Sequence, residues 1–236
     1  MTKVADPPRA DTTTRPEPPP QPESNRDRVS RRQVDKFAER RAELADAALQ
    51  TLAELGYART SLREIAQTSG FSHGVLHYYF SDKVDLITHC VKRYKAQCIL
   101  RYDQIVATAS TAQALAKGFA EGLAATARED AALHRLWYDL RSQSMFEDSF
   151  RADVLEIDDS LQRMIWRILS RYSELTDAPL TITQPAAYGT FDGLFQHALL
   201  HHLAGSTNAL DALTNDVRNL LPRLIDTTRT VEGRNG

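Results

Sequence analysis

The stretch TSGFSHGVLHYYFSDK, residues 68–83, decides how the chain is read. Gly70 stops one short helical pattern, LREIAQTS, which Thr60 or Ser61 can cap and in which Glu64, three residues after Ser61, completes a capping box. Ser72 can cap a second short helix, HGVLHYYF. Ser81 and Asp82 then introduce a long helix that starts at Lys83 and runs through Leu86, Ile87, Val91, Tyr94 and Cys98 toward Ala107. Two short helices joined by a tight turn at a glycine form the layout of a helix-turn-helix.

The second short helix has two unlike faces. At 3.6 residues per turn, Leu76 and Phe80 fall together and can pack on Ile65, Ala66 and Leu86, while Gly74, His77 and Tyr78 face away. A helix needing only solubility has no use for glycine, imidazole and phenol there. In a major groove the same face makes sense: Gly74 permits close approach, and hydroxyl and imidazole groups meet base edges or phosphates. Ser72 at the helix start and Lys83 just past its end add further polar groups.

Working outward, Phe37, Leu44, Ala47, Ala48, Leu52 and Leu55 recur at helical spacing from Val34, and Gly56 ends that first helix. Before it, residues 1–25 hold seven of the ten prolines and little that is apolar, so a disordered tail is expected. Arg26, Arg28, Arg31 and Arg32 read as a basic arm, a possible minor-groove contact or a solvated linker. The net charge of −2 conceals an asymmetry: Arg26–Arg101 carries 14 Lys+Arg against 9 Asp+Glu, whereas residues 102–236 carry 12 against 18. Phosphate neutralisation needs local positive charge, so a polyanion partner for that end alone is consistent. No stretch approaches the roughly 20 apolar residues of a membrane span, and no apolar leader follows Met1, so a cytoplasmic location is expected. Cys90 and Cys98 lie too far apart along one helix for a disulfide and are expected to be packing residues.

The run from Arg41 to Leu86 resembles the DNA-binding domain of the TetR family of transcriptional regulators. The resemblance rests on Leu44, Ala47, Ala48, Leu52, Gly56-Tyr57, Thr60-Ser61, Ile65-Ala66, Ser69-Gly70-Phe71-Ser72, Gly74, Leu76, Tyr79-Phe80, Lys83 and Leu86 standing in register. His77 departs from it, holding a place where the family often has tyrosine. The resemblance implies that His73, Gly74, Val75, His77 and Tyr78 face the bases, with Arg63 beside them. It further implies phosphate contacts from Thr60 or Ser61, Tyr79 and Lys83, although Tyr79 has a competing reading as a packing residue. The fold implied is all-α: a three-helix helix-turn-helix domain over residues 34–82, then a larger helical effector-binding and dimerisation domain over 83–228 and a flexible tail, 229–236.

Helical segments beyond Ala107 are read at about 111–127, 130–145, 148–174, 184–204 and 207–228. LWYDLRSQSMFEDSF, residues 136–150, is similar in pattern to the effector domains of BetI-like members of the family. Trp137, Arg141, Met145, Phe146 and Phe150 from this stretch are candidate cavity residues, as are Trp166, Phe191 and Phe195. The competing reading makes most of them plain bundle core. The last two long helices are the candidate dimer interface, because the family builds its two-fold from such a pair; Tyr188, Leu199, Leu203, Leu213, Val217 and Leu220 represent their apolar surface.

A different class of function rests on HALLHH, where His197 and His201 stand at i, i+4 with His202 beside them. That is a usable metal-ligand spacing, but no glutamate follows the first histidine as in a zinc hydrolase helix, and no cysteine cluster accompanies it. The expectation is therefore a homodimeric regulator, not an enzyme, that needs no cofactor or metal. Its partners would be an operator duplex and a small-molecule effector, with repression as the sign the resemblance implies. A helical metal protein or enzyme built on His197, His201 and His202 is the alternative.

Overall fold

The computed structural model describes residues 25–57 and 60–227. The expected proline-rich tail up to Ser24 and the expected tail 229–236 lie outside the described residues. Among the described residues nine α-helices follow in order: α1 (Asn25–Leu55), α2 (Leu62–Ser69), α3 (His73–Tyr79), α4 (Lys83–Thr108), α5 (Ala112–Glu129), α6 (Ala131–Gln143), α7 (Arg151–Thr176), α8 (Gln184–Leu203) and α9 (Ala209–Leu220). Short 3-10 turns precede α7 at Asp148–Phe150 and follow α9 at Leu221–Leu224. The fold class expected from the sequence, all-α with an N-terminal helix-turn-helix, is the one observed. No described helix is long and apolar enough to cross a membrane.

The described residues fall into two units, one up to Ala38 and one from Glu39 on. In the first, the described residues are helical from Asn25, so Arg26, Arg28, Arg31 and Arg32 lie on the opening turns of α1 and not on an arm before a start at Val34. NRDRVSRRQVDK contains neither proline nor glycine, and arginine, glutamine and lysine favour helix, so nothing stops the helix at Val34.

In the second unit the turn chemistry matches the local signals. Ser61 caps α2, its side chain accepting from the Glu64 N–H while the Glu64 carboxylate accepts from the Ser61 N–H, a closed capping box. Gly70 ends α2 at φ 76°, a left-handed conformation that other residues adopt at a cost. Ser72 caps α3 through the Val75 N–H, and Asp82 caps α4 through the Val84 and Asp85 N–H groups.

Leu44, Ala45, Ala48 and Leu52 of α1 are buried with Ile65 and Ala66 of α2, Leu76 of α3, Phe80, and Leu86 and Ile87 of α4, forming the small core that sets α3 in place. Polar clamps tie α1 to α4: Arg41 pairs with Asp85 and lies over the Phe80 ring, and Arg93 grips Asp46 through two hydrogen bonds of 3.1 and 2.9 Å. The core continues through Leu115, Phe119 and Leu123 of α5, Leu136, Trp137 and Leu140 of α6, Ile157, Ile165 and Ile168 of α7, Phe191 of α8 and Leu213 and Val217 of α9. A short backbone clasp, Thr181 N–H to the Leu224 carbonyl (2.8 Å) and Asp226 N–H to the Pro179 carbonyl (2.9 Å), closes the end of the chain onto the loop before α8.

Candidate nucleic-acid interface and effector cavity

On α3 the buried side is Leu76, backed by Phe80 just after the helix, and the opposite side is open: His73, Gly74, His77 and Tyr78 are exposed, with Val75 and Tyr79 half-buried. The His73 and His77 rings meet edge to face at 4.3 Å, and Tyr78 meets Tyr79 at 4.9 Å, so the outward groups are ordered one against another. A methyl group built on Gly74 would meet nothing within 4 Å. The chain's own packing therefore does not call for glycine there, although glycine costs a helix about 1 kcal/mol relative to alanine. The open space lies on the side where another surface would approach. Arg63 of α2 is exposed.

Three of the residues expected at phosphates are otherwise engaged. Thr60 is buried at 4% exposure and its hydroxyl donates to the Gly56 carbonyl, which removes it from any surface contact; this corrects the expectation. Ser61 is exposed, yet its hydroxyl is occupied by the α2 cap. Lys83 is half-buried, with Nζ 4.6 Å from the Tyr57 ring centre and donating to the Tyr57 carbonyl at 3.3 Å. It holds the α1–α2 turn as well as standing near the α3 face.

The candidate cavity residues separate sharply. Trp137, Phe191 and Phe195 line a cavity of about 50 Å³. Arg141 does not line it; it pairs with Asp192 at 2.6 Å and Asp158 at 3.3 Å and borders a separate surface hollow together with Met145. Met145 and Phe146 are corrected to surface positions, at 70% and 82% exposure, because the loop after α6 turns them outward. Phe150 is core, 6.3 Å from the Tyr57 ring, and Trp166 is a half-buried packing residue outside the cavity.

Sequence reasoning missed the polar part of the cavity wall: Lys95 and Cys98 from α4, Tyr102, Thr126, His134, Tyr138, Tyr188 and Asp192. Lys95 is 3% exposed, and its Nζ lies 2.9 Å from Nδ1 of His134. Burial pushes the Lys95 ammonium down to about 8, and burial, then the charges of Lys95 and Arg101, hold His134 well below the usual imidazole range. Burial, then Asp192, raises the Tyr138 phenol, which donates to Asp192 at 2.9 Å. A lysine inside an otherwise apolar helical stripe was the one available signal; its histidine partner stands 39 positions away and leaves no local trace.

Of the residues expected at a dimer interface, Tyr188, Leu199, Leu213 and Val217 are buried within the chain itself, which corrects that assignment. Tyr188 donates to Asp158 at 2.7 Å, and Leu213 and Val217 turn into the bundle. Leu203 is 46% exposed and Leu220 half-buried. The exposed side of α8 instead presents Gly189, Gly193, Gln196, Leu200 and Leu203. His197 and His201 stack at 4.4 Å, but among the described residues no group of three His, Cys, Asp or Glu side chains is placed to hold a metal ion, so the alternative metal centre is not assembled.

Residues 44–90 match the model of bacterial regulatory proteins of the tetR family. A curated relative, the fatty acid metabolism regulator protein of Bacillus subtilis (strain 168), is 30% identical over 71 residues, a stretch that spans 30% of this chain and 37% of that protein. The fold is similar to that of the transcriptional regulator FadR from Bacillus subtilis in complex with stearoyl-CoA (TM-score 0.58, 23% identity, 76% of this chain and 96% of that one). It is similar also to a TetR transcription regulator from Haloarcula marismortui (TM-score 0.66, 16% identity, 80% of this chain and 100% of that one).

Proposed function

We propose that this chain, which carries the DNA-binding domain of the bacterial tetR family of regulatory proteins over residues 44–90, is a dimeric repressor that leaves a palindromic operator when a small molecule enters the α4–α8 cavity. The observation that carries the reading is the double engagement of α6. His134, Trp137 and Tyr138 of this helix line the cavity. From the same helix, Asp139 accepts the Tyr57 N–H at 3.0 Å and Arg135 donates to the Ala53 carbonyl at 2.7 Å, both at the C-terminal end of α1 beside the helix-turn-helix. A ligand that repositions α6 thereby pulls on the segment that carries the reading head. Helix α4 offers a second route, since Lys83 opens it beside α3 and Lys95 and Cys98 further along line the cavity. The ligand needs only to bind the operator-incompetent arrangement better, and the coupling is reciprocal.

On DNA, the exposed side of α3 enters the major groove, with His73, Gly74, His77 and Tyr78 at base edges, Val75 alongside and Arg63 adjacent. Ser72 and Tyr79 serve as phosphate contacts at its margins, and Lys83 does so by exchanging the Tyr57 carbonyl for a phosphate, while Ser61 keeps its cap. Two such helices about 34–36 Å apart address successive grooves of a palindrome. The dimer forms through the exposed side of α8, where Leu200 and Leu203 at 65% and 46% exposure stand beside Gly189 and Gly193, which allow close two-fold packing. A protein of the same fold has been described with stearoyl-CoA, which supports an effector with a substantial apolar part.

The test is fluorescence anisotropy with a labelled duplex from the region upstream of the protein's own coding sequence and a scrambled duplex of equal length, across a salt series. Operator binding should exceed scrambled binding at every salt concentration and weaken steeply as salt rises. Equal affinity for both duplexes throughout would refute the regulator reading.

A further inference from the structure

The cavity wall holds an unbalanced set of polar groups. The Lys95 ammonium has only hydrogens to give, so His134 Nδ1 accepts from it and the imidazole proton lies on Nε2. That Nε2 is buried and has no hydrogen-bond partner. One turn along α6, the indole Nε1 of Trp137, a donor only, is likewise buried without a partner, and Lys95 Nζ lies 5.4 Å from the Trp137 ring centre. Nε2 of His134 points away from Lys95, on the far side of the ring, so Lys95 and the Trp137 indole are the donors left for the cavity.

Among the described residues no carboxylate pairs directly with Lys95, although Asp192 and Asp130 act on it from a distance. Asp192, the one carboxylate lining the cavity, is taken by the Tyr138 hydroxyl at 2.9 Å and by Arg141 at 2.6 Å, and Asp130 is taken by Arg101 at 2.9 Å. A buried ammonium with no anion beside it is costly, and buried donors without acceptors each add to that cost. The remaining wall is apolar, from Leu161, Met164 and Ile165 of α7 and Phe191 and Phe195 of α8.

We propose that this cavity is a carboxylate site: a small organic acid places its carboxylate on Lys95, with Trp137 as the supporting donor, and its apolar body parts the α7 and α8 side chains that leave a cavity of about 50 Å³. A carboxylate is acceptor-only when ionised, the complement of a donor-only cluster, and a charge-assisted bond to a desolvated lysine is worth more than the same bond in water. The proposal rests on the effector reading of the cavity and names its ligand class. It also ties that ligand to both helices that lead to the helix-turn-helix, since Lys95 stands on α4 and Trp137 on α6.

Titration calorimetry of the full chain with octanoate and with octanamide, which keeps the chain and loses the charge, tests the assignment. Octanoate should bind at least ten-fold more tightly than the amide, and K95M should abolish that preference. Trp137→Phe keeps the ring but removes the N–H, and should weaken octanoate several-fold while leaving octanamide unchanged; it carries the test if K95M does not fold. With Trp166→Phe leaving Trp137 as the only indole, octanoate should change the remaining fluorescence. Equal binding of acid and amide, no binding of octanoate, or a preference that survives K95M would overturn the proposal. Release of operator by stearoyl-CoA or a neutral compound without octanoate binding would overturn it too, while leaving the regulator reading standing.

Discussion

Replacing Lys95 by methionine removes a buried positive charge while keeping most of the side-chain length, and its effect on stability has a sign that depends on pH. Lys95 is 3% exposed, and burial pushes its ammonium from 10.5 down to about 8. At about 1.36 kcal/mol per pH unit, keeping that charge inside costs the folded chain roughly 3 kcal/mol. Below about pH 8 both folded and unfolded chains hold the proton and the whole cost is present. Between about 8 and 10.5 the unfolded chain holds the proton and the folded chain does not, so wild-type stability gains with rising pH. The variant has no such proton. It also loses the bond to His134 Nδ1, an offset of roughly 1–3 kcal/mol below about pH 8, where Lys95 carries its proton.

Urea unfolding of both proteins at equal concentration, at pH 7, 8.5 and 10, should therefore show wild type gaining on K95M by up to about 3 kcal/mol across the series. Asp192, Arg141 and Asp130 remain in both proteins, as do the buried thiol of Cys90 and the buried phenols, so their titration largely cancels in the difference; the Cys98 thiol, which burial raises and the Lys95 charge draws down, is raised further in K95M. Parallel stability curves would mean that the ammonium is solvated in the folded chain. They would refute the desolvation on which the carboxylate site depends.

Three further perturbations probe separate parts of the molecule. His77→Ala should weaken operator binding by about 1–3 kcal/mol with an unchanged melting temperature, since the side chain is exposed; anisotropy and thermal unfolding read the two effects. Asp139→Ala removes the acceptor for the Tyr57 N–H and should leave effector binding intact while reducing effector-driven release of the operator, read by anisotropy with and without ligand. Leu200→Glu should yield a folded monomer in sedimentation that binds the operator much less but scrambled DNA almost as before, whereas Leu213→Glu, at a site 2% exposed in the chain's own core, should unfold the bundle by burying an unpaired carboxylate.

The helix-turn-helix was legible because its determinants act over three or four residues. The Ser61–Glu64 capping box, the left-handed Gly70, the Ser72 cap and the Asp82 cap each satisfy backbone groups within one turn, so residue order alone specifies them. The outward side of α3 followed directly, since Leu76 and Phe80 define the buried side and helical spacing turns Gly74, His77 and Tyr78 away from it, whereas His73 was placed there by the family resemblance. Thr60 escaped the same logic: its hydroxyl closes on the Gly56 carbonyl in a bend whose shape depends on how α1 ends.

The effector half shows what residue order could not decide. An apolar stripe announces that it will be covered, but not by what. Leu199, Leu213 and Val217 are covered by their own chain and Leu200 is not, although the pattern along α8 and α9 treats them alike. Met145 and Phe146 look like wall residues and stand in solvent because of the turn after α6. The cavity's polar groups depend on still longer reach: Lys95 meets His134 across 39 positions, and Asp139 meets Tyr57 across 82. Caps and turns are set by nearest neighbours along the chain, whereas burial of a charge and the choice of its partner arise only when distant helices exclude water from the same small volume.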